Sequence, residues 1–316
     1  MNMKKIFLVS LAGFLFSVSD AFAVAASYGY SESLQRMKLF HTMASEAIQA
    51  ILVDPDLNIF IDNIWACIAF FYLTKIVTRW VFNRHDDYDL VYALVVLILT
   101  RTMMVHYDYI TSLCWDWSEG LASGMQLAVI GETDPFFLNA FMSDTMSAIT
   151  YTDVNIFSKA IMYINALIMS LVIMVLAAMS FFNTMWAVYG YALSKMIGWM
   201  FIPFVMLERT AFLFEGWLRL FFGFLLYGVI ARANMLLVAL GIRCYFGLPG
   251  FKAGALPIKI YFTAGSDIWG FLAFMLVALC ALFSTGRFAA AMASGVGVGG
   301  AFQSIAMAVT RIMIKK

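Results

Sequence analysis

The sequence predicts an all-α protein, a polytopic membrane helix bundle of about six transmembrane helices, with an N-terminal signal-like segment and a Gly/Ala-rich C-terminal helix. Two observations predict this class. Of the 316 residues, 63% are hydrophobic and 12% are charged, and the mean hydropathy is +0.88, whereas a soluble domain has about 25% charged residues. The apolar residues also form runs long enough to cross a bilayer, where bundled helices satisfy the backbone hydrogen bonds.

Residues 1–23 have the organisation of a signal peptide. Lys4 and Lys5 precede an apolar core at residues 6–16, and the segment ends in Ala21-Phe22-Ala23, a small-x-small cleavage pattern. The core is short for a membrane span, so we expect cleavage after Ala23, with a retained anchor as the alternative. In either case the chain that follows begins outside the cytoplasm.

Residues 24–56 are predicted to contain a periplasmic amphipathic helix that ends at Pro55. Its apolar residues recur at helical spacing: Leu34, Met37, Phe40, Met43, Ala47, Ile48 and Ile51. The pattern favours a helix lying on the membrane or on its own bundle over a helix that binds a partner.

Residues 57–105 hold the first two predicted transmembrane helices, at residues 57–80 and 90–105. Lys75, Arg79 and Arg84 follow the first of them. A positive cluster of this kind marks the cytoplasmic side, so the second helix returns outward.

Residues 106–158 are predicted to form an acidic central periplasmic domain. The segment contains no Lys or Arg, which is typical of the non-cytoplasmic side. Residues 131–135 have the composition of a turn between two amphipathic helices. The segment holds seven acidic residues: Asp108, Asp116, Glu119, Glu132, Asp134, Asp144 and Asp153.

Residues 159–287 contain the third to sixth predicted transmembrane helices, at residues 160–182, 185–206, 217–242 and 268–285. We expect residues 207–216 to form a periplasmic turn in which Glu208, Arg209 and Glu215 stay hydrated and Gly216 lets the chain reverse. Trp217 is then expected at the membrane interface, with its indole N–H in water.

Two helix faces carry small residues at every fourth position, which favours close helix packing. The second face lies in residues 288–316, the Gly/Ala-rich C-terminal segment, whose basic end favours a cytoplasmic C-terminus. Residues 295–300 also satisfy G-x-G-x-x-G, but no predicted strand precedes them, so a dinucleotide site is disfavoured. The two faces are Gly190, Ser194 and Gly198, and Ala291, Gly295 and Gly299.

The sequence carries no motif of an enzyme or a cofactor site. It has no H-E-x-x-H, P-loop or G-x-S-x-G pattern, its three histidines are dispersed, and its four cysteines have no C-x-x-C spacing. We therefore expect a protein that is not an enzyme and that has no cofactor or metal.

Charged residues at membrane depth are informative, because a charge at the bilayer centre costs about 2.5–3.5 kcal/mol on insertion scales. Arg219 and Arg232 lie 13 residues apart, or about 20 Å along a helix, so both cannot reach the same surface. Arg232 is explained either by an ion pair inside the bundle or by an aqueous conduit or gating contact. The polar candidates at depth are Asp62, Arg101, Asn165, Lys195, Arg219, Arg232 and Asn234.

The stretch from Pro203 through Glu208-Arg-Thr to Phe214-Glu-Gly-Trp-Leu-Arg219 resembles the polytopic TrbL/VirB inner-membrane subunit of type IV secretion systems, the sixth member of the VirB series. The exported N-terminus, the central periplasmic domain and the Gly-rich tail are similar to the same pattern. The resemblance implies a platform and conduit subunit without catalysis, which supports assembly of the machine and its pilus and passage of substrate across the inner membrane. The family's tryptophan region matches Gly216, Trp217 and Arg219. With Pro203, Glu215 and Arg232, these are the candidate residues for assembly and substrate passage.

The resemblance also implies a location in the bacterial inner membrane and a set of partners. These are major and minor pilins, secretion ATPases, bitopic scaffold and channel subunits, and further copies of the chain. In the family the central periplasmic loop is linked with translocating substrate, including DNA, but seven acids without Lys or Arg would repel a phosphate backbone. The loop is better suited to docking pilin-type proteins or to a lining that substrate does not adhere to, and the substrate is either protein or DNA.

A hypothesis from another class is a stand-alone membrane transporter or channel for a small solute. Its motivation is the polar set Arg232, Asn234 and Asp62 within apolar segments. The sequence shows no inverted repeat of the kind that transporters have.

Overall fold

The computed structural model describes residues 35, 39–40, 42–82, 87–151, 156–245, 260–262 and 265–295. Apart from two three-residue strands, the regular structure of these residues is helical, which confirms the all-α membrane bundle. The predicted signal peptide and residues 296–316, with Gly299, lie outside the described residues.

The described elements follow the chain in a simple order. They are α1 (Thr42–Val53), α2 (Pro55–Val81), α3 (Asp87–Val105), α4 (Tyr107–Ile130), α5 (Phe137–Ala148), β1 (Ile149–Tyr151), α6 (Ile156–Gly198), a 3-10 segment (Trp199–Met206), α7 (Ala211–Tyr245), β2 (Ile260–Phe262) and α8 (Gly265–Gly295).

Helix α2 begins at Pro55, two residues before the predicted start at residue 57. The carboxylate of Asp54 accepts hydrogen bonds from the backbone N–H groups of Asp56 and Leu57, both at 3.0 Å. Pro55 takes the first helical position, where its missing N–H is not needed. The same proline separates α1 from α2, as expected.

Helices α3 and α4 meet at a bend of 72° around His106, at the predicted boundary between the second transmembrane helix and the acidic segment. Helix α4 ends at Ile130, and the next residue, Gly131, has a φ of 83°, in the left-handed region that glycine enters readily. The carboxylate of Asp134 then accepts from the N–H of Phe136 at 2.9 Å, just before α5. The turn predicted at residues 131–135 is confirmed.

Among the described helices, four are long and apolar enough to cross a membrane, or five if the bent pair α3–α4 counts as one crossing. The sequence predicts about six because it divides residues 160–182 and 185–206 into two spans. They lie in the continuous helix α6 and the 3-10 segment that follows it. The polar pair between them is not a turn: Asn183 donates to the carbonyl of Leu282 at 3.1 Å, and Thr184 donates to the carbonyl of Ser180 at 3.1 Å.

The chain reverses between α6 and α7 at Leu207–Thr210, and not at Gly216 as expected. Pro203 lies inside the 3-10 segment, and its missing N–H and its ring are incompatible with a continuing α-helix. Leu207 is extended, with φ −105° and ψ 121°, and Thr210 donates to the carbonyl of Phe204 at 3.1 Å. Helix α7 then begins at Ala211, so Gly216 is helical.

The chain divides into two compact units. The Trp217 unit contains the described residues of His41–Ser118 and Ala187–Tyr227 and those from Arg287 onward. The Glu119 unit contains the described residues up to Phe40 and those of Glu119–Trp186 and Gly228–Gly286.

Each unit has its own buried core. In the Trp217 unit a largely aromatic cluster includes Ile61, Tyr107, Tyr191, Trp199, Ile202, Phe214, Trp217, Phe221 and Leu225. In the Glu119 unit the fully buried side chains include Phe136, Leu138, Leu176, Met235, Phe271 and Met275. Strands β1 and β2 also pair in the Glu119 unit, in parallel, with Ile149 opposite Ile260.

Candidate functional site

Trp217 lies in the interior of its unit. Its side chain is 5% exposed, and its indole N–H donates to the backbone carbonyl of Ser194 at 2.8 Å. The rings of Tyr107, Phe214 and Phe221 surround it, with centroid distances of 6.0, 5.5 and 5.6 Å. The expectation of an interfacial indole with its N–H in water was wrong, because the carbonyl of Ser194 takes the place of water.

The small residues of α6 lie under aromatic rings of α7. A Cβ built on Gly198 would lie 2.1 Å from Cε2 of Trp217, and one on Gly190 would lie 2.0 Å from Cδ1 of Phe224. Ser194, between them, is buried. Any larger side chain at the two glycines would push α6 and α7 apart.

The second predicted small face lies differently. Ala291 is exposed, and Gly295 is the last residue of α8. The alanines of α8 that are buried are Ala289 and Ala293, and the Cβ of Ala293 is 3.7 Å from the Cβ position of Gly223 on α7. Ala291 of the predicted face is therefore not among the buried alanines of α8.

The remaining residues of the resemblance divide between the inside and the outside of the Trp217 unit. Pro203 is buried in the 3-10 segment, and Glu215 is half-buried. Gly216 and Arg219 are exposed, and no atom lies within 4 Å of a Cβ placed on Gly216. The structure brings Trp217 together with Gly198 and Ser194 and leaves Arg219 on the surface of α7.

Lys195 is a buried cation in the Trp217 unit. Its side chain is 10% exposed, and its Nζ lies 2.7 Å from a carboxylate oxygen of Asp108 on α4. It also donates to the hydroxyl of Ser112 at 2.8 Å and lies 5.8 Å from the ring centroid of Tyr191. The hydroxyl of Tyr107 donates to the backbone carbonyl of Lys195 at 2.7 Å. The cation is therefore paired and held in position from several directions.

Arg232 is a buried cation in the Glu119 unit. Its side chain is 8% exposed and is paired, through Nη2, with the carboxylate of Glu119, which is 43% exposed. Nη1 is buried and has no hydrogen-bond partner in the structure. Of the two interpretations left open by the sequence, the ion pair inside the bundle is the one that the structure contains.

Both partners come from α4, and neither was predicted. Asp108 and Glu119 are 11 residues apart, which is three helical turns plus about 20°, so they share one face of the helix. The third acid of α4, Asp116, is three residues before Glu119, about 60° away around the helix, and is exposed. The sequence alone does not single out this pair, because Asp116 and Glu119, three residues apart, also have a spacing that places side chains on one side of a helix.

The polar residues that motivated a transporter hypothesis are all bonded. Asp62 pairs with Arg101, and Asn234 donates to the hydroxyl of Thr285 at 3.0 Å. Within the described part of the chain, no group of three or more metal-ligating side chains is present, and each of the four cysteines is free.

The model of the family described as TrbL/VirB6 plasmid conjugal transfer protein matches residues 83–242, about half of the chain. The chain belongs to the TrbL/VirB6 family. A comparison with curated proteins found no match.

Membership of the TrbL/VirB6 family makes the chain a membrane component of type IV secretion or conjugal transfer. With several helices able to cross a membrane, it is a multi-pass protein of the inner membrane. The matched residues of the TrbL/VirB6 chain run from α3 into α7 and include Trp217, Lys195, Arg232 and the carboxylates that pair with these two cations.

Proposed function

We propose that the protein is an inner-membrane platform and conduit subunit of a type IV secretion system. The observation that supports this best is the kind of polar contact in the matched region. Lys195 with Asp108, Arg232 with Glu119, and Trp217 with Ser194 each join one helix to another. Buried polar groups are used here to hold helices together, as a scaffold requires.

The proposed partners are major and minor pilins, secretion ATPases, bitopic scaffold and channel subunits, and further copies of the same chain. The substrate is protein or DNA. Three acids of the central segment, Asp108, Glu119 and Asp134, are engaged within the chain. The acids left for contact with a pilin or a substrate are fewer than the sequence suggests.

We further propose five crossings, made by α2, the α3–α4 pair, α6, α7 and α8, with a periplasmic N-terminus and a cytoplasmic C-terminus. The continuity of α6 supports this number. Nζ of Lys75 lies 3.2 Å from the carboxylate of Glu208, so the Leu207–Thr210 turn lies beside the Lys75 end of α2, which the positive charges assign to the cytoplasm. The turn that the sequence placed in the periplasm is then cytoplasmic.

A labelling experiment separates the five-crossing and six-crossing arrangements. Single cysteines at Arg209 and Lys252, in a background without native cysteines, are treated in whole cells with a membrane-impermeant maleimide. Five crossings predict labelling at residue 252 and protection at residue 209. Six crossings predict labelling at residue 209 and protection at residue 252. The positive charges of Arg243 and Lys259 favour this second result, because such charges mark the cytoplasmic side.

The function itself is tested by deletion and complementation. Loss of the gene should abolish conjugal transfer or effector secretion, and the wild-type chain should restore it. A tagged chain should also co-purify with a secretion ATPase and a pilin from cross-linked membranes. A chain that makes neither contact, and whose loss leaves transfer unchanged, would refute the proposal.

A further inference from the structure

Helix α1 packs on the Trp217 unit through one apolar face, which we call its packed face. Ile48 is 3% exposed, and Ile51 and Leu52 contact the aromatic cluster that contains Trp217. Burial of these side chains holds the helix beside its own bundle. The packed face accounts for only part of the apolar surface of α1.

A second apolar face of α1 is exposed. Met43 is 59% exposed, and Ala47 and Ala50 follow it at helical spacing and are exposed as well. We call these three residues the outer apolar face. Val53, at the end of the helix, is 74% exposed and lies between this face and the polar one. The polar face, also exposed, consists of Thr42, Ser45, Glu46 and Gln49.

The three faces divide the circumference of α1 almost equally. With 3.6 residues per turn, the centres of the packed, polar and outer apolar faces are each about 120° apart around the helix axis. A helix that lies between its own bundle and water needs one apolar face, whereas a helix that also borders lipid needs two. The pattern of α1 is that of a helix with a bundle, water and lipid on its three sides.

The connection to α2 determines where α1 lies relative to a membrane. Helix α2 is one of the helices able to cross a bilayer, and a single residue, Asp54, separates it from α1. Nδ2 of Asn58 donates to the carbonyl of Leu52 at 2.9 Å, and the carboxylate of Asp54 caps the start of α2. Helix α1 is therefore held at the end of α2, where a membrane-spanning helix leaves the hydrocarbon.

We propose that the outer apolar face of α1 lies in the membrane surface, at the boundary between phospholipid headgroups and acyl chains, while the polar face stays in water. The occupant is lipid because the next apolar residues of the chain, Leu57, Ile59 and Phe60, are exposed on a helix that crosses the membrane. Helix α1 thus joins the Trp217 cluster to the bilayer surface. The proposed orientation assigns the periplasmic leaflet, but the lipid contact does not depend on that orientation.

Fluorescence quenching in the full chain tests the lipid contact. The four native cysteines are replaced, a single cysteine carries an NBD probe, and the protein is reconstituted alone into vesicles of phosphatidylethanolamine and phosphatidylglycerol. Spin-labelled lipid should quench probes at Met43→Cys and Ala50→Cys at least about threefold more than probes at Ser45→Cys and Gln49→Cys. A quencher dissolved in the aqueous phase should give the opposite order.

A probe at Phe70→Cys, a position that is 66% exposed on α2, gives the reference value for full contact with lipid. Equal quenching of the polar and outer apolar faces by spin-labelled lipid would overturn the inference. So would an outer apolar face that is shielded from both quenchers, because that result would mean that protein covers it.

Added charge provides the second test. The double variant Ala47→Asp with Ala50→Asp should lower the lipid quenching of a probe at Met43→Cys about threefold, because a carboxylate resists entry into lipid. The matched control, Ser45→Asp with Gln49→Asp, adds the same charge to the polar face and should leave this quenching unchanged. Equal effects of the two double variants, or no effect of the first, would contradict the lipid contact. If the first variant does not fold, the comparison of single probes decides alone.

Discussion

Two buried cations, Lys195 of the Trp217 unit and Arg232 of the Glu119 unit, are neutralised by carboxylates of the same helix, α4, but in different ways. Lys195 has a carboxylate, a hydroxyl and an aromatic ring around its ammonium group. Arg232 has one carboxylate, and its Nη1 is buried without a hydrogen-bond partner. A buried cation with several partners tolerates the loss of one, whereas a cation with a single partner depends on it. The Glu119 contact should therefore be the more critical of the two.

The largest effect is expected for Glu119→Ala. The change leaves the guanidinium of Arg232 buried without a counter-charge, which costs about 3–5 kcal/mol for a fully buried pair and less here, because the Glu119 side chain is 43% exposed. We expect a large drop in the thermal midpoint of the detergent-solubilised protein and in its level in membranes. The double variant Glu119→Leu with Arg232→Leu is the control and should recover most of the loss. A single variant as stable as wild type would show that the pair does not form.

A smaller effect is expected for Asp108→Ala. Lys195 keeps the hydroxyl of Ser112 and the ring of Tyr191, and the Asp108 side chain is 49% exposed and partly screened by solvent. We expect a loss of about 1–3 kcal/mol in the free energy of unfolding. The measurement is the same thermal midpoint, compared directly with that of Glu119→Ala. A loss equal to or larger than that of Glu119→Ala would reverse the comparison.

Trp217→Phe tests how much the hydrogen bond between Trp217 of α7 and the end of α6 that carries Lys195 contributes to stability. The substitution keeps an aromatic ring but removes the N–H that donates to the carbonyl of Ser194. One lost hydrogen bond of this kind costs about 0.5–1.5 kcal/mol. Trp217→Ala should be clearly more destabilising, because the ring packing is lost as well. Equal stability of the Phe and Ala variants would assign the role of Trp217 to its N–H alone.

The smallest effect is expected for Arg232→Lys. Glu119 contacts only one nitrogen of the guanidinium, and an ammonium can replace that contact without leaving a second nitrogen unsatisfied. We expect a change in the free energy of unfolding within about 1 kcal/mol, with Arg232→Met as the damaging counterpart that leaves Glu119 unpaired. A loss as large as that of Arg232→Met would mean that Nη1 has a role after all.

Local features of the fold were predictable because local chemistry determines them. Pro55 and Asp54 define the start of α2, and Gly131 with Asp134 defines the turn before α5. The continuity of α6 was not predictable in the same way. Asn183 looks like a turn residue until its amide is seen to donate to Leu282, a residue 99 positions away along the chain.

The candidate site shows the same division. The resemblance to the family was enough to identify the Trp217 region as a candidate site. The burial of the indole could not be predicted, because it depends on Ser194 and Gly198 of another helix. The position of Arg232 at membrane depth was evident from its spacing of 13 residues from Arg219. Its partner was not, because seven acids in one segment offered no reason to choose Glu119 without the helix phase of α4.

The glycines under the rings of Trp217 and Phe224 also set the geometry of the α6–α7 pair. Gly190 and Gly198 are two turns apart, or about 12 Å along α6. One close contact would leave two helices free to pivot about it, but two contacts at this separation also fix the crossing angle. A methyl group at Gly198 would separate α6 from α7 at the end near the Leu207–Thr210 turn. A methyl group at Gly190 would separate the same two helices farther from that turn. The two substitutions should therefore tilt α7 in opposite directions.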